Sequence, residues 1–411
     1  MKKRTLLFSI TGLLGLTLLG LTASVRAETW KARELRRSWE QAAWKFGPLR
    51  IQPLLIIRDA GYDSNIYYHP EAVSDFWLTA GPGADAYFMV KKRLLVHLFE
   101  SPQYVYFFKT ERERTWNNYL NGEVSLSFNR FLLTAGGALN RARERWNTEI
   151  DIRPRRNEKK GFLSLLYQRS YRVSFEVTAT RIDYRYESIE YDSVNIGERL
   201  SRLETFWSGK FYYRLNPRLQ FFLEGEWGRY DFQSPSSLGD SRSRALYSGF
   251  EFSPGGRVRG RLRLGHKFFD TLQEGRPDFR GLVGDTSISW TFFRPLVLRA
   301  SYRRDVNFSV WSQNPFFVGN SWSAGSSLYL FRKRIRLDYT YSRLRNDYPL
   351  GEVPGSEPRQ DDYTLNSMAL YIRITKTAGF GISGGLWTRA INVLNWDAER
   401  RFLGLNLTYE F

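Results

Sequence analysis

The chain contains no cysteine in 411 residues. That removes disulfide staples, thiolate nucleophiles, cysteine-ligated metals and a lipid-modified N-terminal cysteine together. Histidine is nearly as scarce. His69, His97 and His266 are the only three, and none stands at a spacing that suggests a catalytic triad or a metal site. A glycine-rich phosphate loop and a haem-attachment motif are also missing. No catalytic residue, metal or cofactor is therefore expected, and the chain does not read as an enzyme. Asp63 and Asn65, in the run Gly61-Tyr62-Asp63-Ser64-Asn65, are of the type that binds cations, but a turn at the top of a strand explains them as well. Beyond the N-terminus no stretch approaches the roughly 20 apolar residues that a membrane-spanning helix needs, and mean hydropathy is −0.45. A transmembrane β-barrel hides its apolar band in every second residue, so this average does not exclude a membrane protein.

What is present starts at the N-terminus. Lys2, Lys3 and Arg4 precede an apolar run from Leu6 to about Thr22, and Val25-Arg26-Ala27 ends it with residues of the kind a signal peptidase reads. Residues 1–27 are thus expected to be a cleaved secretory signal. The formal charge of +19 includes Lys2, Lys3, Arg4 and Arg26, which leaves 19 − 4 = +15 on the mature chain. Export makes nucleic acid an improbable partner for that charge and leaves lipopolysaccharide, other anionic outer-membrane lipid, or an anionic solute. Residues 28–48 place Trp30, Leu35, Trp39, Ala43 and Phe46 loosely on one helical face. This segment reads as a periplasmic helix, a partial plug, a docking arm or a plain leader.

From residue 49 onward the sequence alternates with period two. Trp116, Leu120, Gly122, Val124, Leu126 and Phe128 take one parity, while Asn117, Tyr119, Asn121, Glu123, Ser125 and Ser127 take the other. Only a strand separates those sets onto two faces. Val173 to Thr180, Leu203 to Tyr213, Leu219 to Trp227 and Asp285 to Phe292 read the same way. Short connectors recur at Lys91-Lys92-Arg93, Asn129-Arg130, Gln168-Arg169-Ser170, Asn216-Pro217, Pro254-Gly255-Gly256, Arg294-Pro295, Arg332-Lys333 and Lys376-Thr377. Longer polar stretches, such as 231–243, 270–281, 309–320 and 347–360, lie between them. This is the asymmetry of an outer-membrane barrel, with short periplasmic turns and long extracellular loops. The predicted fold is all-β: a transmembrane antiparallel up-and-down barrel over residues 49–411, with about 18 strands (range 16–18). Tyr184, Tyr186, Trp227, Tyr230, Tyr339 and Tyr341 are expected in the interfacial girdles.

The final segment puts Leu403, Leu405, Leu407, Tyr409 and Phe411 on one parity. An aromatic terminus preceded by alternate apolar residues is similar to the signal that the barrel-assembly machinery recognises, so Leu405, Leu407, Tyr409 and Phe411 are assigned that role. Charge on the strands sorts by parity too. Arg257, Arg259, Arg261, Arg263 and Lys267 oppose apolar residues, as do Arg299 with Arg303 and Arg334 with Arg336. Such rows are too costly to face lipid and are expected to line the lumen, together with Glu224 and Glu226. The row reads either as a wall favouring anions or as a ladder of lumenal ion pairs.

Residues Leu49 to Tyr67, with Pro53 and the run 61–65, resemble the first strand of β-barrel porin families associated with surface-polysaccharide export. The unit Thr148 to Tyr184, with Glu149, Arg153, Pro154, Arg155 and Arg156 ahead of a hairpin, resembles the same group. The resemblance implies an outer-membrane conduit for exopolysaccharide or another surface polymer, working with a periplasmic polysaccharide-export protein. Two other readings remain open at this point. One is a general or anion-selective diffusion porin. The other is a barrel that sheathes a periplasmic electron-transfer protein or adheres through its loops.

Overall fold

The computed structural model describes residues 39–410 apart from 92, 235–236, 238, 253–255, 312, 352–355, 376 and 393–395. The signal segment 1–27, Trp30 and Leu35, Phe411 and parts of three turns (Lys92, Pro254-Gly255 and Lys376) lie outside the described residues.

Period-two alternation becomes a ring of strands. The ranges are β1 Leu49–Asp63, β2 Asp75–Val90, β3 Leu94–Phe107, β4 Thr115–Phe128, β5 Phe131–Arg143, β6 Arg155–Gln168, β7 Val173–Tyr186, β8 Arg202–Asn216 and β9 Leu219–Phe232. They continue with β10 Ser241–Phe252, β11 Val258–Thr271, β12 Phe279–Phe293, β13 Leu296–Phe308, β14 Phe316–Leu330, β15 Ile335–Asp347, β16 Gln360–Arg373, β17 Ala378–Ile391 and β18 Ala398–Glu410. The sheet also holds a three-residue strand, Trp44–Phe46, so nineteen members less one give an eighteen-stranded barrel. Each strand pairs antiparallel with its sequence neighbours, and β18 closes the ring by pairing with both β17 and β1. Closure leaves no strand edge unpaired, as a bilayer without water demands. At the seam a bulge interrupts β1 between Ile57 and Ala60. Just past it, a Cβ on Gly61 would lie 1.9 Å from the Leu403 carbonyl oxygen, so only glycine fits there.

Along each strand the two faces differ in chemistry. On β4 the side chain of Trp116 is exposed (61%) while that of its neighbour Asn117 is buried (2%). The outward set continues around the barrel through Leu98, Leu163, Leu223, Leu264, Leu282, Met368 and Leu405, all exposed. Exposed apolar surface on this scale is stable only against hydrocarbon. The chain is an integral outer-membrane β-barrel.

Connectors alternate in length. Those at 91–93, 129–130, 217–218 and 294–295 are tight, while 64–74, 144–154, 187–201 and 348–359 are long. β1 starts and β18 ends at the tight-turn, periplasmic end. Here the described part of 28–48 folds back on β1. Trp39 Nε1 donates to the Pro48 carbonyl at 2.9 Å, Arg50 stacks on the Trp39 ring, and Trp44–Phe46 pairs with Leu49–Ile51. Phe46, assigned above to a helical face, therefore sits in a strand, because the backbone of β1 offers it ladder partners.

Candidate functional site: the lumen and its bridged mouth

The inner wall is fixed by contacts that step over a strand. Glu224 on β9 accepts from Arg261 (3.0 Å) and Arg263 (2.9 Å) on β11, and Glu226 pairs with Arg263 at 3.2 Å. The intervening β10 contributes Tyr247, whose ring lies 3.3 Å beneath the Arg263 guanidinium carbon. These side chains take the parity opposite to the exposed Leu223, Leu246, Leu264 and Phe268 on the same three strands, so they line the concave face. Lys210 of β8 joins the cluster 3.5 Å from Glu224, Lys267 pairs with Asp305, and Arg299 and Arg336 share Asp338 at 3.2 and 2.8 Å. Arg259 and Arg303 form no ion pair among the described residues. Arg257 and Arg334 fall in the periplasmic turns, one residue before β11 and β15.

The row is therefore largely an ion-pair ladder, and the depth of its two signs varies around the wall. Lys267 is 4% exposed against 28% for Asp305, and Arg263 13% against 21% for Glu226, whereas Arg299 and Arg336 are 43% and 41% exposed against 18% for Asp338. On β13 and β15 long arginine stems carry their charge into lumenal water while the short carboxylate stays against the wall. Toward the extracellular end, the same side of the lumen fills with rings. Tyr230, Phe269, Phe316 and Val318 form a buried cluster against Phe206, Phe232, Phe279 and Phe308. Tyr230 thus belongs to the interior, and Tyr184, stacked under Arg156 and Arg202, does so too. Tyr186 packs into a second interior cluster. These three tyrosines do not form a girdle, whereas Trp227 and Tyr339 do face outward.

The second cluster belongs to the loop between β5 and β6, residues 144–154. It crosses the mouth. Thr148 is held from the far wall: Asn346 Nδ2 on β15 donates to its hydroxyl at 2.7 Å, and the Tyr363 hydroxyl on β16 donates to its carbonyl at 3.2 Å. Asp151 pairs with Arg389 on β17 at 2.7 Å and with Arg145 of its own loop at 3.0 Å. Glu149 Oε1 accepts from the Ser309 hydroxyl (2.7 Å) and Oε2 from the Val310 N–H (2.9 Å), both in the β13–β14 loop. β15 stands nine places from β6 in a ring of eighteen, so the bridge spans the barrel rather than lining one side. Ile150, fully buried between Glu149 and Asp151, packs on Ile196, Leu200 and Val310.

Local sequence shapes this loop. Asn147 Oδ1 accepts from the N–H groups of Glu149 (2.9 Å) and Ile150 (3.1 Å), an Asx turn that aims Glu149 outward from the bend. Arg145 stacks over Tyr68 and Trp387. Burial pushes the Glu149 carboxyl up to about 7, with the Ser309 and Val310 hydrogen bonds and the Arg359 charge pulling the other way. Desolvation wins because the group is enclosed. Burial likewise holds Arg153 below its usual range, although Glu113 opposes it.

The other residues singled out in the sequence take structural places. Asp63 accepts from the Asn65 N–H at 2.9 Å and pairs with Arg400 at 2.8 Å, so Gly61–Asn65 is a turn locked to β18. Among the described residues no group of His, Asp and Glu is arranged to hold a metal ion. His97 pairs with Asp85 at 2.6 Å and stacks on Tyr87. His266 faces outward beside Phe268. Leu405, Leu407 and Tyr409 project outward from β18. The bridge residues Thr148, Glu149 and Asp151 were not predicted as a site; the signal available was two carboxylates flanking an isoleucine between Arg145 and Arg153.

A closed barrel of eighteen strands, apolar outside and ionic inside, narrowed by an infolded loop, has the architecture of a porin. Solved structures agree at the level of fold. The chain is similar to Pseudomonas aeruginosa OccK2 (OpdF), with a TM-score of 0.53, 10% identity, and coverage of 88% of this chain and 98% of that one. It is also similar to OccK9 (OpdG) of the same organism, at 0.52, 12%, 88% and 98%, and to OpdO, at 0.51, 12%, 88% and 97%. Neither a family profile nor a curated protein matches the sequence.

Proposed function

We propose that this chain is a narrow diffusion channel for small hydrophilic solutes, with a preference for anions. The observation that carries the reading is the difference in depth on the β13–β15 part of the lumenal wall. A solute crossing the barrel meets the exposed guanidinium groups of Arg299, Arg303 and Arg336, while Asp338, the carboxylate partner of Arg299 and Arg336, lies nearer the wall. Rings of charged side chains in a pore set the sign of the permeant ion. Planar bilayers under a salt gradient test it. The reversal potential is expected to have the sign of anion selectivity, and Arg299→Ala with Arg303→Ala and Arg336→Ala to bring it close to zero. A cation-selective wild type, or no conductance at all, defeats the reading, the latter in favour of a sheath.

Export of a polysaccharide, implied by the sequence resemblance, fits the geometry less well. A chain of sugar rings needs a wide passage, and the 144–154 bridge is pinned to the opposite wall by ionic and hydrogen-bonded contacts at Thr148, Glu149 and Asp151. Export would require that bridge to undock. A deletion strain with unaltered surface polysaccharide excludes it.

A further inference from the structure

Not all of the strand cations face the lumen. Near the loop end of β5, β6 and β7, Arg141, Lys159, Arg181 and Arg185 lie on the exposed, outward parity. Arg185 pairs with Asp183 at 2.8 Å, whereas Arg141, Lys159 and Arg181 form no ion pair among the described residues. Register brings them together. Arg141 lies across from Asn157 and Leu139 from Lys159, and Asn157 in turn lies across from Arg185 and Lys159 from Asp183. Beside them a groove of about 770 Å³ runs down the outer wall, lined by Tyr104, Trp116, Leu139, Arg141, Lys159 and Arg185, among others. Asn118, also on its lining, donates to Glu100 at 3.3 Å.

Unpaired cations on a lipid-facing surface are unfavourable unless something anionic meets them. The extracellular leaflet of this membrane supplies such a partner in lipopolysaccharide, whose lipid part joins sugar phosphates to acyl chains. We infer that this groove is a binding site for one lipopolysaccharide molecule, with a lipid A phosphate on Arg141 and Lys159 and an acyl chain along Tyr104, Trp116 and Leu139. Guanidinium and ammonium groups bind phosphate through charge-assisted hydrogen bonds, and the apolar floor covers the chain that follows. A second copy of this protein is a poorer occupant, because a two-fold contact sets the same basic patch against itself.

Native mass spectrometry of the delipidated full chain tests the site. Bisphosphorylated lipid A is titrated against the wild type, an Arg141→Ala/Lys159→Ala variant, and an Arg169→Ala/Arg172→Ala variant altered in the exposed turn between β6 and β7 at the opposite end of the barrel. Dephosphorylated lipid A and phosphatidylglycerol serve as comparison ligands. The first variant is expected to lose roughly tenfold or more in affinity for the phosphorylated lipid, with heat-modifiable migration showing an intact barrel and the second variant binding as wild type does. Equal binding by wild type and first variant overturns the proposal. So does equal affinity for the dephosphorylated lipid, equal or tighter binding of phosphatidylglycerol, or a wild-type oligomer that the first variant dissociates.

Discussion

The two ends of the barrel both carry outward rings, Phe76 and Trp116 at the loop end among them, and differ in the outward charge that accompanies them. At the turn end the outward side chains include Phe88, Phe128, Phe131, Phe175, Trp290 and Phe292. At the loop end, outward positions carry Arg141, Lys159, Arg229, Arg242, Arg244 and Arg280, all exposed. Among the described residues the strands are joined by short connectors at the turn end, whereas the loop end carries a bridge with a buried glutamate and a buried ion pair. The difference reflects the surroundings. Aromatic rings suit an interface of small headgroups, basic residues suit a leaflet of phosphorylated glycolipid, and a loop that meets the outside medium is the economical place for a filter.

The contrast breaks most readily at the bridge. Asp151→Ala leaves Arg389, whose side chain is 2% exposed, and Arg145 without their carboxylate. The expected loss is about 3–5 kcal/mol of docking, seen as faster amide hydrogen exchange across 144–154 with the strand amides unchanged. Leu264→Arg, on the outward face at the middle of β11, attacks the belt shared by both ends. Its cost in barrel stability, measured by reversible unfolding in lipid, is expected to be about 2–4 kcal/mol.

A smaller effect comes from Glu149. Its carboxyl is raised above that of a solvated glutamate, so protonation favours the docked loop. Docking should be strongest below pH 4.5 and weaken by roughly 1 kcal/mol per pH unit up to about 7. Protection of 144–154 at pH 5 and pH 8 measures it, and Glu149→Gln should remove the difference. The smallest effect sharpens the contrast at the turn end. Phe128→Lys, at the last residue of β4, should cost only about 0–1 kcal/mol because the ammonium snorkels to water.

The barrel was legible because period-two alternation is local: Trp116 against Asn117 already assigns two faces. Arginine on every second position of 259–267 marks one face for the same reason, and that face carries the ion pairs to Glu224 and Asp305. The tyrosines at 184 and 230 were misplaced by treating aromatics at segment ends as a class. Their parity, shared with Glu176 and with Glu224, pointed inward. The bridge was out of reach, because Thr148 meets Asn346 and Asp151 meets Arg389 across about half the chain, and the polar stretches that marked loops did not include 144–154. The outward arginines were missed because charge was assigned to the lumen throughout, although Arg242 and Arg244 share the parity of Leu246.

The claim that the 144–154 bridge governs passage through the barrel is tested most directly by single-channel conductance. A chain in which residues 146–152 are replaced by a short glycine-serine link should form an intact barrel whose conductance rises severalfold over the wild type in the same salt. Equal conductance in the two proteins would contradict the account.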